Sequence, residues 1–158
     1  MRRLVNRRQR MMSSLATDTF ITNKNLYSVL SKDKLLSIEA LLGVLNSRLI
    51  SYLYINQVTQ ATKDDFPQVT IKDVLALPFP QLLKDKARHD KMVSLVDQML
   101  SLNKQLPTVK TDHEKTALQR QIDTIDKQID KLVYELYGIT EEERKIIERD
   151  NINREDKT

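Results

Sequence analysis

The chain has 158 residues, with 26 lysines and arginines against 22 acids for a net charge of +4, and no cysteine. That length suits one domain or two small ones, and the absence of Cys excludes a disulfide scaffold and thiolate chemistry. No run approaches the roughly 18 uninterrupted apolar residues of a membrane span, and a cytoplasmic location is the expectation.

The charge is unevenly placed. Arg2, Arg3, Arg7, Arg8 and Arg10 stand within ten residues free of acid, leaving 21 basic against 22 acidic residues elsewhere. A block of like charge of this kind suits a phosphate-rich partner. The same acid-poor start, free of acids until Asp18, also has the composition of a mitochondrial transit peptide. Beyond it, "RRLVNRRQ" and "DTFITNKNLYSVL" contain strand-forming residues, and Lys24 and Asn25 fall at the tip of a predicted turn.

Ser37 is a plausible N-cap for a helix running to about Ile55. Ile38, Leu41, Leu42, Leu45, Leu49 and Tyr52 form one stripe at three- and four-residue steps. A second stripe, Ala40, Gly43, Val44, Ser47 and Ser51, is made of mostly small residues that let another backbone approach closely. Gly43 costs roughly 1 kcal/mol against Ala in a helix, and Asn46 in such a place must hydrogen-bond nearby groups. A polar loop holding Lys63 follows. "FPQVTIKDVLALPFP" then reads as a short strand, since Pro78 and Pro80 prevent a helix from continuing.

From about residue 84 two heptad seams appear. Met92, Leu95, Met99, Leu102 and Leu106 form the first, and Leu118, Ile122, Ile125, Ile129, Leu132 and Leu136 the second. Thr111 with Glu114 has capping-box spacing, Gly138 is a C-terminal cap, and Thr140 with Glu143 opens a last helix. The short connector at Pro107 makes the two long helices an antiparallel hairpin. Val93, Val96, Leu100 and Val133 lie on a second apolar flank, which predicts something packed on it.

Chemistry is harder to find. His89 and His113 are the only histidines, without metal-ligand spacing. Asp123, Asp126 and Asp130 interleave with Lys127 and Lys131 and read as a solvated face. Glu143-Arg144-Lys145 has the Glu-x-Lys spacing of a metal-dependent nuclease but lacks the preceding Pro-Asp. Two glycines cannot build a phosphate loop. The chain by itself is therefore read as non-catalytic and free of metal and cofactor. Nucleic-acid binding is carried by Arg3, Arg7, Arg8, Arg10, Lys24, Asn25 and Lys63.

Several stretches, in order, resemble one family. "RRLVNRRQ", "FITNKNLYSVL", "LLGVLNSRLISYLY", "DFPQVTIKDVLALPFP", "KMVSLVDQMLSLNKQL" and "IDKLVYELYGITEEERKIIE" are similar to the TaqI-like C-terminal specificity domain of type IIG restriction–modification enzymes and to type I specificity subunits. The resemblance implies base recognition on double-stranded DNA for an adenine-N6 methyltransferase, often with a nuclease on the same polypeptide. It implies that the hairpin docks on the methyltransferase, and that Asn46 and Ser47 tie down backbone beneath the recognition loops. S-adenosylmethionine and magnesium belong, on this reading, to domains outside the chain, which lacks the methyltransferase's Asn-Pro-Pro-Tyr motif and Gly-rich loop.

The expected architecture is α+β. A partial, mixed α/β target-recognition module at 1–80 precedes a coiled-coil-like helical hairpin and terminal helix at 81–158. Partners would be DNA, the methyltransferase and, through the apolar flank, a second copy. The rival from another class is a coiled-coil dimeriser or adaptor whose basic N-terminus is incidental, and a complete nuclease is a further one.

Overall fold

The computed structural model describes Met1 and residues 11–19, 21–23, 25–32, 36–57, 69–81 and 85–155, the last six by backbone alone. Among the described residues six α-helices follow one another: α1 Ile38–Leu45, α2 Arg48–Gln57, α3 Ile71–Ala76, α4 Lys86–Gln105, α5 Asp112–Tyr137 and α6 Glu141–Glu155. A 3₁₀ turn, Leu106–Thr108, with Pro107 inside it, joins α4 to α5.

The α+β expectation is overturned. The described residues are mostly helical and contain no strand. In the segment expected to pair as strands there is an isolated bridge at Leu26. Beside it, Met1 and Tyr27 exchange backbone hydrogen bonds, each of 2.8 Å. β-branched and aromatic residues favour extended backbone, but a strand needs a ladder to join. "RRLVNRRQ" lies outside the described residues. The stretch expected as a strand before "LPFP" is instead α3. Thr70 caps it, accepting from the Asp73 N–H at 3.2 Å and donating its hydroxyl to the Asp73 carboxylate at 2.6 Å. That Thr-x-x-Asp box outweighs the β-forming Val69 and Ile71 beside it.

The hairpin forms as its heptads require. The seam residues Met92, Leu95, Ile125, Ile129, Leu132 and Leu136 are buried where α4 meets α5. Thr111 caps α5 through a reciprocal box with Glu114. Gly138 closes it at φ 66°, a left-handed conformation that glycine adopts without Cβ strain. At α6, Thr140 and Glu143 cap each other in the same way, and the Thr140 backbone N–H holds the Glu143 carboxyl below the usual carboxylate range.

α1 lies across the first half of α4, and α2 against α5 and α6. The small-residue stripe faces inward: Ala40, Gly43, Val44, Ser47 and Ser51 are all buried. A Cβ on Gly43 would stand 2.5 Å from Met92 Sδ and 3.0 Å from Val96 Cγ2. Glycine is thus what allows α1 to sit so close to α4. The large-residue stripe is the less covered one. Ile38, Leu41 and Leu45 are half-buried and wall an open cleft of about 1140 Å³ beside residues 13–32.

The expected single helix from Ser37 to Ile55 is two helices meeting at a bend of 59°. Ser37 does cap its start, accepting from the Ala40 N–H. Asn46 then ends α1, and Ser47 serves both sides of the break. Its hydroxyl donates to the Val44 carbonyl at 2.8 Å and accepts from the Ile50 N–H at 3.3 Å, capping α2. No single described helix is long and apolar enough to cross a membrane.

Candidate nucleic-acid interface

The bend organises the segment that leads back to the arginines. The Asn46 carboxamide accepts from the Ser13 N–H at 2.7 Å and donates to the Ser13 carbonyl at 2.9 Å. One turn further on, Ser51 donates its hydroxyl to the Ser47 carbonyl and accepts from the Met11 N–H at 3.2 Å. Met11 is buried, 2% exposed. Residues 11–13 are thus strapped across the break, one grip on each helix. Each grip gives a backbone outside any helix or strand a bond that secondary structure would otherwise supply.

A second set of bonds ties the remaining loops down. The Tyr27 hydroxyl donates to the Val69 carbonyl at 3.1 Å, and the Tyr137 hydroxyl to the Pro78 carbonyl at 2.6 Å. The Ser37 N–H donates to His89 Nε2 at 3.1 Å, so that imidazole nitrogen is an acceptor joining α4 to the start of α1. Burial and the nearby Asp73 push the Tyr54 hydroxyl up to about 12. Burial raises Tyr134 and Tyr137 as well.

Of the residues assigned to DNA, Arg3, Arg7, Arg8, Arg10, Lys24 and Lys63 lie outside the described residues. Asn25 is exposed in a tight turn where its N–H donates to Asn23 Oδ1 at 2.9 Å and the Leu26 N–H to the Asn23 carbonyl. Asn46 and Ser47 meet backbone, as just described.

The apolar flank needs a correction. Val96 and Val133 are 3% and 0% exposed, and Val93 and Leu100 are half-buried, without any second molecule. α1 meets this flank at Val96, whose Cγ2 lies beside Gly43, and α2 packs on α5.

Asp130 also departs from its reading as part of a solvated face. It is 5% exposed. One carboxylate oxygen accepts from the Arg48 N–H at 2.8 Å, at the first residue of α2, and the other lies 3.1 Å from Arg48 Nε. A negative charge there complements the exposed N–H groups of a helix start. The signal was available in the spacing. Asp130 stands three residues before Val133, on the flank that α1 and α2 cover, whereas Asp123 is exposed. Among the described residues no group of three or more His, Asp or Glu side chains could hold a metal ion.

Residues 2–79, from the arginine block to the "LPF" that Tyr137 grips, match the TaqI-like C-terminal specificity domain. This part of the chain is similar to that family. The chain is also 34% identical over 137 residues to a protein of Methanocaldococcus jannaschii that carries the inferred name type II restriction enzyme and methyltransferase. The aligned region is 86% of this chain and 11% of that relative, so the chain spans about a tenth of the relative's length. No solved structure matches it. The hairpin α4–α5 begins just after the specificity domain ends, and Arg48–Asp130, Ser37–His89 and Tyr137–Pro78 join the two.

Proposed function

We propose that this chain is the target-recognition part of a type II restriction–modification enzyme of the IIG kind. It would read double-stranded DNA and direct adenine-N6 methylation, cleavage or both by other domains. One observation carries the reading: the segment that matches a specificity domain, residues 2–79, is the one that contains the five-arginine block. The relative's name supports a parent of this kind. S-adenosylmethionine and magnesium chemistry would belong to that parent, and no step of it is assigned to residues of this chain. On this reading the domains at 1–80 and 81–158 divide the work, the first meeting DNA and the hairpin meeting the methyltransferase, in the cytoplasm.

Binding through phosphates releases counterions, so each phosphate that the protein no longer neutralises lowers the salt slope by about one unit. The test is enrichment of a random-sequence duplex library by the full chain, followed by titration over salt. Arg3→Ala/Arg7→Ala and Arg8→Ala/Arg10→Ala are compared on the enriched and a scrambled duplex. A fall of about two units of slope in one pair marks phosphate binding. A fall of roughly 1–3 kcal/mol in discrimination at one base pair marks an arginine reading guanine. Unchanged slope and affinity in both pairs would hand the case to the adaptor reading, with the basic segment a tail.

A further inference from the structure

We propose that Asp130 is a positioning residue, whose carboxylate sets the direction of α2 and thereby the path of the strap that leads to the arginine block. The inference rests on the DNA-recognition reading for its purpose, and on the following geometry for its mechanism.

At the break between α1 and α2 the continuous ladder of helical hydrogen bonds is lost, so the 59° bend is fixed by whatever holds the first residues of α2. Two groups do so. Ser47 Oγ takes the Ile50 N–H from within the break. Asp130 takes the Arg48 N–H from α5, 82 residues away, and meets the Arg48 side chain with its other oxygen. The second ties the first residue of α2 to the hairpin by a polar bond, beside the apolar packing of Leu49, Ile50, Tyr54 and Ile55. Arg48–Asp130 is an ion pair that crosses from the specificity domain to the hairpin, whereas Lys86–Asp90, Lys115–Asp112 and Arg144–Glu148 are local pairs within one helix.

The strap reads the bend. Asn46, at the end of α1, holds Ser13, and Ser51, on α2, holds Met11. These anchors are two residues apart on the strap and sit on opposite sides of the break. Any rotation of α2 against α1 must therefore stretch or release one of them. Residues 2–10 continue directly from Met11. A charge on the hairpin thus governs the path of residues 11–13, the described residues that adjoin the basic segment in sequence, while touching no DNA itself.

The experiment uses the full chain. Because it has no native cysteine, Ser14→Cys and Ser101→Cys, both at exposed positions, place the two spin labels for a distance measurement between strap and hairpin. The background variants are Asp130→Ala, Asp130→Asn and, as a destabilised control with the carboxylate intact, Ile125→Val. The expected result is a narrow distance distribution in the parent and in Ile125→Val, broadened in Asp130→Ala and less so in Asp130→Asn. Preference for the library-enriched duplex over a scrambled one should fall roughly tenfold with Asp130→Ala, at unchanged salt slope, since phosphate binding is kept while base readout loses register. A folded Asp130→Ala chain that keeps both the narrow distribution and the preference overturns the proposal. If that variant does not fold, Asp130→Asn decides by the same criterion. Equal broadening in Ile125→Val would also overturn it, by showing a general loss of stability. A parent chain that enriches no sequence sinks the DNA reading alone, and the distance measurement then judges the positioning by itself.

Discussion

The hairpin and the region before it are built by different rules. In α4 and α5 the partners of a residue lie one turn away or directly across a short connector, and the caps are four-residue boxes. In residues 11–81 the decisive bonds run between positions 33, 40, 42, 59 and 82 apart in sequence, and each pairs a side chain with a backbone group. The hairpin is held by apolar burial repeated along a seam. The N-terminal part also buries Leu42, Val44, Leu49, Ile50 and Tyr54, but its loops are placed by a handful of single polar bonds. The first kind of structure degrades gradually, and the second loses one anchor at a time.

The contrast can be broken most severely in the seam. Ile125→Asp should cost about 3 kcal/mol or more, because it buries an unpaired charge between α4 and α5. Asp123→Ala, on the exposed face, should cost under about 1 kcal/mol. Urea unfolding of the two variants measures the difference, and similar midpoints would mean that the seam does not carry the hairpin.

Asn46→Ala comes next, at roughly 1–3 kcal/mol, since the Ser13 N–H and carbonyl lose their partners together. Its signature should be local. Amide exchange at residues 11–14 should accelerate, while the middle of α5 keeps its protection. Uniform acceleration through the chain would contradict the anchor-by-anchor picture.

Gly43→Ala tests where the two regions meet. Crowding against Met92 and Val96 costs about 1–3 kcal/mol, offset by the roughly 1 kcal/mol that alanine adds to a helix, for a net loss near 1 kcal/mol. The companion Gly43→Ala/Met92→Ala should show a coupling of opposite sign to the single effect. Additive behaviour would place the close approach elsewhere.

The smallest effect is expected at Tyr134. Its hydroxyl is buried without a hydrogen-bond partner among the described residues, so Tyr134→Phe should change stability by under about 0.5 kcal/mol at neutral pH. In alkali the two chains should diverge. Burial raises this hydroxyl in the folded state, so its contribution is complete below the ordinary tyrosine value of about 10 and is lost as pH rises through the folded value. Melting temperatures measured against pH should therefore fall less steeply for Tyr134→Phe above pH of about 10. Parallel alkaline limbs would refute this.

What could be read from the sequence divides along the same line. Met92, Ile125, Ile129, Thr111, Gly138 and Thr140 act where their spacing puts them, because helical periodicity and capping boxes are local codes. Gly43 announced a close approach, and Asn46 a need for partners. That Ser47 breaks the helix was hidden, since the apolar stripe runs through it without interruption. The partners Ser13 and Met11 were hidden too, and the spacing that puts Asp130 on the covered flank did not name Arg48 as its partner, for no local pattern marks a bond made across 33 to 82 residues. Among the described residues the expected strands failed for a related reason: strand-forming side chains were legible, but whether a ladder awaited them was not. The arginine block was plain as charge, and charge alone does not say how its backbone is held.

The hairpin is also a lever. From Asp130 back to the start of α5 at Asp112 is 18 residues, about 27 Å at 1.5 Å per residue. α1 supports only the near half, and towards the tip Leu102, Leu106, Leu118 and Ile122 are only half-buried. Turning about the Arg48–Asp130 joint by about 10° would carry that tip through about 5 Å. That is more than the rise of about 3.4 Å that separates neighbouring base pairs along one strand. On the proposed function, a partner gripping the far end of the arm and a segment following the duplex at the near end would then disagree by more than one base pair. The rigidity of the Arg48–Asp130 joint and of the packing around it would then limit how closely the two ends keep register along DNA.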